Sequence, residues 1–164
     1  VPPRGFSARP TTDMAKESLF NILANRFDFE GLTVLDLFAG TGSISYEFAS
    51  RGAGGIICVE KDFKSAAFIN LTARQLDFPI QCIRTDVFAF LKSCRRKFQV
   101  IFADPPYDLE GAERVVDVVF EKQLLADEGL LVYEHSGRVD FYGHPRFCES
   151  RSYGKVQFTF FAEK

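Results

Sequence analysis

Asp104-Pro105-Pro106-Tyr107 follows the apolar run Val100-Ile101-Phe102-Ala103, which reads as a buried parallel strand. An acid, two prolines and an aromatic ring thus stand at a strand's carboxyl end, where open α/β sheets bind their ligands. Proline fixes φ near about −65° and supplies no N–H donor, so the segment is stiff and its carbonyls can face outward. The Asp104 carboxylate and a neighbouring carbonyl can accept hydrogen bonds from an amino group, while the Tyr107 ring offers a flat face. That combination suits a planar base with an exocyclic NH2. The plain alternative is a Pro-rich turn that closes a strand.

Acidic residues end strand after strand. Asp36 lies in the first predicted strand, Glu60 ends the second, Asp86 follows the third and Asp104 follows the fourth. Strand ends on one sheet edge converge on one cleft, so these four carboxylates are expected along it. Their mutual repulsion would be relieved by a cationic or donor-rich ligand. The first strand runs into Asp36-Leu37-Phe38-Ala39-Gly40-Thr41-Gly42-Ser43, where Gly40 and Gly42 let backbone approach a ligand and turn into a helix. A dinucleotide fingerprint would place a third glycine where Ser45 stands, so the NAD pattern is incomplete. Each acid also has a local alternative. Asp36 could cap the loop through backbone N–H groups, Glu60 could face solvent, and Asp86 could N-cap the helix that starts at Val87.

The elements that must position these residues alternate. Asp13 to Phe27 carries Ala15, Leu19, Ile22, Leu23 and Phe27 at helical spacing, with Thr12 as a plausible N-cap. Strands are expected over Thr33 to Leu37, Gly55 to Val59, Ile80 to Arg84, Val100 to Ala103 and Gly129 to Glu134. Helices are expected over Ser43 to Ser50, Phe63 to Leu76, Val87 to Ser93 and Ala112 to Gln123. This rhythm implies parallel strands joined by right-handed crossovers, with helices on both faces. Phe147 to Tyr153 and Val156 to Ala162, separated by Gly154-Lys155, read as a closing antiparallel hairpin. The expectation is one α/β domain over residues 1–164 with a mostly parallel seven-stranded sheet and an antiparallel end.

Bulk composition agrees. The chain has 164 residues, 46% hydrophobic and 26% charged, enough for a real core. Neither a membrane-spanning run nor a secretory signal is visible. A net charge of −2 argues against holding nucleic acid by charge alone. Cys58, Cys82, Cys94 and Cys148 are scattered, with only His135 and His144 beside them, so reduced thiols in a cytoplasmic protein are expected rather than a zinc site or disulfides. Nineteen phenylalanines without tryptophan read mainly as core. Arg95-Arg96-Lys97 reads as a solvated loop, and His135 as structural. Arg4, Arg9, Arg138, Arg146 and Arg151 are phosphate-contact candidates or surface charge. The chain starts at Val1, and its first residues, 1–12, are expected to be an extension truncated upstream.

Read in order, D-x-F-A-G-T-G, Glu60, Asp86, D-P-P-Y and a terminal hairpin resemble the S-adenosylmethionine-dependent methyltransferases, with their Rossmann-like class I fold. Arg9-Pro10-Thr11-Thr12-Asp13, with Glu17-Ser18-Leu19-Phe20-Asn21 after it, narrows the likeness to the RsmD-type small-subunit (16S) ribosomal RNA guanine-N2 methyltransferases. The resemblance covers essentially the whole chain, apart from an amino-terminal β segment usual in that family and not found here. It implies that Asp36, Phe38 and the Gly40-Thr41-Gly42 loop line the methionine part of S-adenosylmethionine. Glu60 would take the ribose hydroxyls, Lys61 would flank the adenosine, and Asp86 with the Val87 N–H would meet the adenine. Asp104, Pro105, Pro106 and Tyr107 would hold the base to be methylated, and Arg9 to Thr12 would lie near the cleft.

The implied reaction moves a sulfonium methyl to an exocyclic amine and needs no metal. The implied partner is ribosomal RNA or an assembling small subunit, met by a monomer without a membrane. Two rivals stand beside it. Adenine-N6 enzymes also use D-P-P-Y, although the chain lacks room for a DNA target-recognition domain, and glutamine methylators carry Asn where Asp104 stands. A dinucleotide-binding oxidoreductase or a non-catalytic nucleotide-binding module is the reading from another class.

Overall fold

A computed structural model describes residues 12–137 and 139–163. In chain order the elements are α1 (Asp13–Ala24), β1 (Thr33–Leu37), α2 (Ser43–Ser50), β2 (Gly55–Glu60), α3 (Phe63–Gln75), β3 (Ile80–Arg84), α4 (Val87–Ser93), β4 (Phe98–Ala103), α5 (Arg114–Glu121), β5 (Leu125–His135), β6 (Phe147–Tyr153) and β7 (Val156–Phe161). Three helices start where a side chain can satisfy an orphan N–H. Thr12 accepts from Ala15 at 3.3 Å, Asp62 from Ser65 at 2.9 Å and Asp86 from Ala89 at 3.1 Å.

The seven strands form one sheet in the order β3-β2-β1-β4-β5-β7-β6. β1 to β5 run parallel, and β7 is antiparallel to both β5 and β6. The chain winds outward from β1 through β3, then crosses to the other side of β1 to lay down β4. The switch point between β1 and β4 is the place where open α/β sheets leave a crevice.

Strand alternation divides the core in two. Val34, Cys58, Phe102, Val132 and Phe160 pack on one face against Leu19 of α1, Phe48 of α2 and Ile69 of α3. Leu35, Val59, Ile101, Leu131 and Phe161 pack on the other against Leu91 of α4 and Val116 of α5. Covered on both faces, the central strands read as continuous apolar runs interrupted by few polar residues. Phenylalanine fills much of this volume, and Phe20, Phe48, Phe98, Phe102, Phe158, Phe160 and Phe161 are all fully buried.

Boundaries differ from the sequence expectation at several elements, and β4 starts at Phe98 rather than Val100. α1 stops at Ala24 because the Asn25 N–H turns back to the Ile22 and Leu23 carbonyls, and Phe27 packs on the core from outside the helix. α5 starts at Arg114, since Gly111 at φ +73° turns the chain just before it. β5 begins at Leu125, well before Gly129. Its early residues pair with Phe98 across a register shift, with Glu128 at φ 63° and no room for a Cβ on Gly129. Arg95, Arg96 and Lys97 form an exposed loop. Among the described residues no helix is long and apolar enough to cross a membrane.

Candidate functional site

Register places the strand-end acids together. Asp36 pairs with Cys58 on one side and Phe102 on the other, so Glu60 and Asp104, each two residues further on, project from the same face as Asp36. Ala103 pairs with Tyr133, which sets Glu134 beside Asp104 on that face. Asp36, Glu60, Asp104 and Glu134 therefore gather at the carboxyl edge of β2, β1, β4 and β5, across the switch point.

The loop after β1 is bent tightly. Phe38 (φ 59°), Gly40 (φ 60°) and Gly42 (φ 86°) are left-handed within five residues. Such a conformation is unusual for an aromatic residue and marks a segment held by its surroundings. At Gly42 a Cβ would fall 2.8 Å from Cζ of Tyr46, so only glycine fits. Glu60 holds the loop. Its Oε1 accepts from the Gly40 N–H at 2.8 Å and its Oε2 from the Asp62 N–H at 2.8 Å. Each oxygen keeps a second lone pair, so a ligand hydroxyl can still be accepted. The Thr41 hydroxyl accepts from the Ser43 N–H at 3.4 Å.

Asp36 is only 1% exposed and lies beneath this loop. Ser45 Oγ donates to Asp36 Oδ2 at 2.7 Å and lies 2.9 Å from Cys58 Sγ. Burial pushes the Asp36 carboxyl from 3.8 up to about 7, against the pull of the Ser45 hydrogen bond, and the negative charges of Glu60 and Glu134 add to the rise. Asp104 is half-buried, and its carboxyl is raised well above the ordinary range by desolvation, then by Glu134 and Asp36. Pro105 is half-buried, Pro106 is exposed and Tyr107 is fully exposed, its ring open to a partner.

Asp86 is exposed and caps α4, while Val87 is buried and Lys61 lies on the surface. Arg9, Pro10 and Thr11, together with Arg4 and Arg138, lie outside the described residues. His135 is fixed between the Ser136 carbonyl and the Thr159 hydroxyl, each at 2.6 Å, and burial lowers its proton affinity. A hollow of about 460 Å³ opens between α2 and α3, lined by Tyr46, Phe68, Thr72, Leu76 and Phe78. Thr41 of the glycine loop and Lys16, Ser43 and Glu47 also line it, while none of the four gathered acids does.

Sequence reasoning overlooked Glu134. It ends β5 just as Glu60 ends β2, is 9% exposed, and bears on both Asp36 and Asp104. The rule that picked out strand-end acids would have found it had it been carried to the fifth strand.

Comparison with known proteins places this arrangement in a family. The family model described as conserved hypothetical protein 95 matches residues 1–162. The Bacillus subtilis (strain 168) protein YlbH, named provisionally as an rRNA methyltransferase, is 38% identical over 141 residues, which cover 83% of this chain and 76% of YlbH. Ribosomal RNA small subunit methyltransferase D of Escherichia coli (strain K12) is 32% identical over 127 residues, covering 77% of this chain and 63% of that protein. The solved Escherichia coli protein yhhF, named provisionally as a methyltransferase, superposes with a TM-score of 0.82 at 26% identity, over 93% of this chain and 86% of its own. With its seven-stranded sheet ending in β5-β7-β6, the chain has the methyltransferase fold and belongs to the conserved hypothetical protein 95 family, the RsmD family.

Proposed function

We propose that this protein transfers the methyl group of S-adenosylmethionine to the exocyclic N2 amine of a guanine in small-subunit ribosomal RNA. The observation that carries the reading is the juxtaposition at the switch point. A Glu60-clamped glycine loop stands on β1, and the Asp104-Pro105-Pro106-Tyr107 corner stands on the adjacent β4 with its ring open. The names of the relatives supply the substrate class.

The residues present fit the cofactor. Asp36 and Asp104 are both held above their ordinary proton affinity, first by desolvation and then by neighbouring carboxylates, so the edge gathers acids whose negative charge a cationic ligand would favour. A sulfonium would meet that charge, and Glu60 and Asp86 are acceptors suited to ribose hydroxyls and an adenine amine. Asp36, Phe38, Gly40, Thr41, Gly42, Glu60, Lys61, Asp86 and Val87 would hold it. Once bound, S-adenosylmethionine supplies an electrophilic methyl whose departing sulfur takes the C–S electron pair.

The chain's own residues then do three things. Asp104 and the Pro105 carbonyl accept the two amine N–H bonds, which turns the nitrogen lone pair away from the ring and toward the methyl. Tyr107 stacks on the extruded base, a contact worth ~1–3 kcal/mol. Asp104 receives the proton that the nitrogen sheds after it has gained the methyl, and its raised proton affinity suits it to hold that proton. Holding two partners in line could supply up to roughly 7–11 kcal/mol of the barrier reduction. An rRNA substrate would place the protein in the cytoplasm.

Thermal melting with S-adenosylhomocysteine and with NAD tests the first half of the reading. A rise with the former and none with NAD is expected, and a rise with NAD alone would overturn it. Tritium transfer to small-subunit rRNA from cells lacking the gene tests the second half, with incorporation expected.

A further inference from the structure

The connection from the Asp104-Pro105-Pro106-Tyr107 corner to α5 is folded into two turns. The Leu109 N–H closes the first on the Pro106 carbonyl and the Arg114 N–H closes the second on the Gly111 carbonyl, each at 3.1 Å. Both ends of the connection stand at the carboxyl edge of the sheet, Tyr107 just beyond β4 and Arg114 in the first turn of α5. The Arg114 guanidinium has a seat there. Its Nε donates to the Gly111 carbonyl at 3.3 Å, and its Cζ lies 5.4 Å from the centre of the Phe88 ring at the start of α4. Gly111 makes the seat possible. At its φ of +73° a side chain is strained, and a Cβ would fall 3.0 Å from Arg114 Nε and 3.2 Å from Nη2.

This seated cation is exposed, and among the described residues no carboxylate forms an ion pair with it. Of its five N–H donors the Nε–H alone is bonded among those residues, which leaves the terminal fork for a planar or tetrahedral oxyanion. Charge explains why such a contact is needed. The chain carries a net charge of −2, gathers acids at this edge, and has Asp108, Glu110 and Glu113 in the connection itself, so its overall field does not draw in a polyanion. RNA must then be held by placed contacts, and contacts to phosphate are the ones that fix register. We propose that Arg114 is a positioning residue that grips a backbone phosphate beside the extruded nucleotide, so that the base falls between Tyr107 and Asp104. The inference rests on the rRNA reading above and deepens it by naming the backbone contact.

Methyl transfer to small-subunit rRNA from cells lacking the gene, followed from about 50 to 200 mM salt, tests this. Arg114→Gln should raise KM for the RNA about tenfold, with kcat, melting temperature and S-adenosylhomocysteine affinity unchanged. Its log kcat/KM should also fall less steeply with log salt, by about 0.7, the share of one phosphate on a single strand. Arg114→Lys keeps the charge without the fork, and should recover the salt slope but only part of KM. Gly111→Ala unseats the guanidinium while leaving it charged, and should raise KM yet add little when combined with Arg114→Gln. Unchanged KM and salt slope in a folded Arg114→Gln protein would overturn the inference. So would a lowered melting temperature with an unaltered salt slope, which would leave Arg114 only a pin between α5 and α4. No transfer to the RNA by the wild type would instead overturn the rRNA reading and this inference with it.

Discussion

Asp36→Asn should make the protein more stable and less able to bind its cofactor. The side chain is 1% exposed, and its carboxyl moves from 3.8 to about 7 on folding, chiefly through desolvation, with Glu60 and Glu134 adding repulsion. A raised carboxyl affinity means that the folded state holds a proton the unfolded chain has already released. Its penalty is absent below about pH 4, grows by ~1.4 kcal/mol per pH unit, and levels off above about pH 7 at roughly 4 kcal/mol. Asparagine carries no charge to desolvate and keeps an oxygen for the Ser45 hydroxyl, but its new N–H2 needs a partner, at about 1–2 kcal/mol. A net gain of roughly 2–4 kcal/mol at pH 8 follows. Urea unfolding of both proteins from pH 5 to pH 8 is the assay, because subtracting the two curves cancels the other titrating groups. The gap should widen by about 2.5 kcal/mol across that range, most of it before pH 7. A constant gap, or a variant less stable than the wild type at pH 8, would refute the argument that Asp36 is strained by burial.

Glu60→Gln removes one of the two acceptor oxygens that tie the loop at Gly40 and Asp62, and should lower S-adenosylhomocysteine affinity about tenfold by calorimetry, with a stability loss of ~1–2 kcal/mol. Unaltered affinity would count against a role for the clamp in cofactor binding. Tyr46→Phe should raise stability by about 1 kcal/mol, because the Tyr46 hydroxyl is buried and makes no hydrogen bond of ordinary geometry among the described residues. A lower melting temperature would show that the hydroxyl has a partner in solution.

The order of elements was readable because each signal was local. Helix starts were marked by Thr12 and Asp86, and short apolar runs such as Thr33 to Leu37 marked the strands. The hairpin was given away by Gly154, at φ +64° in the structure. Less legible was what depends on residues far apart in sequence. The irregular start of β5 follows from its pairing with Phe98, which no local pattern announces. At the site, the edge position of the acids was legible, but their division of labour was not. Ser45, noted for not being the third glycine, is the hydrogen-bond donor that Asp36 needs beneath the loop. Asp36 is therefore buried under the glycine turn, and Glu60 accepts from the backbone of that turn. The weight of Glu134 emerges only when β5 is set beside β4.

Incubating small-subunit rRNA from cells lacking the gene with the protein and methyl-labelled S-adenosylmethionine, then locating the label by mass spectrometry, bears most directly on the chemistry assigned to Asp104. One labelled N2-methylguanine is expected, absent when Asp104→Ala replaces the wild type while S-adenosylhomocysteine still binds. Label on adenine, or transfer by Asp104→Ala at the wild-type rate, would contradict it.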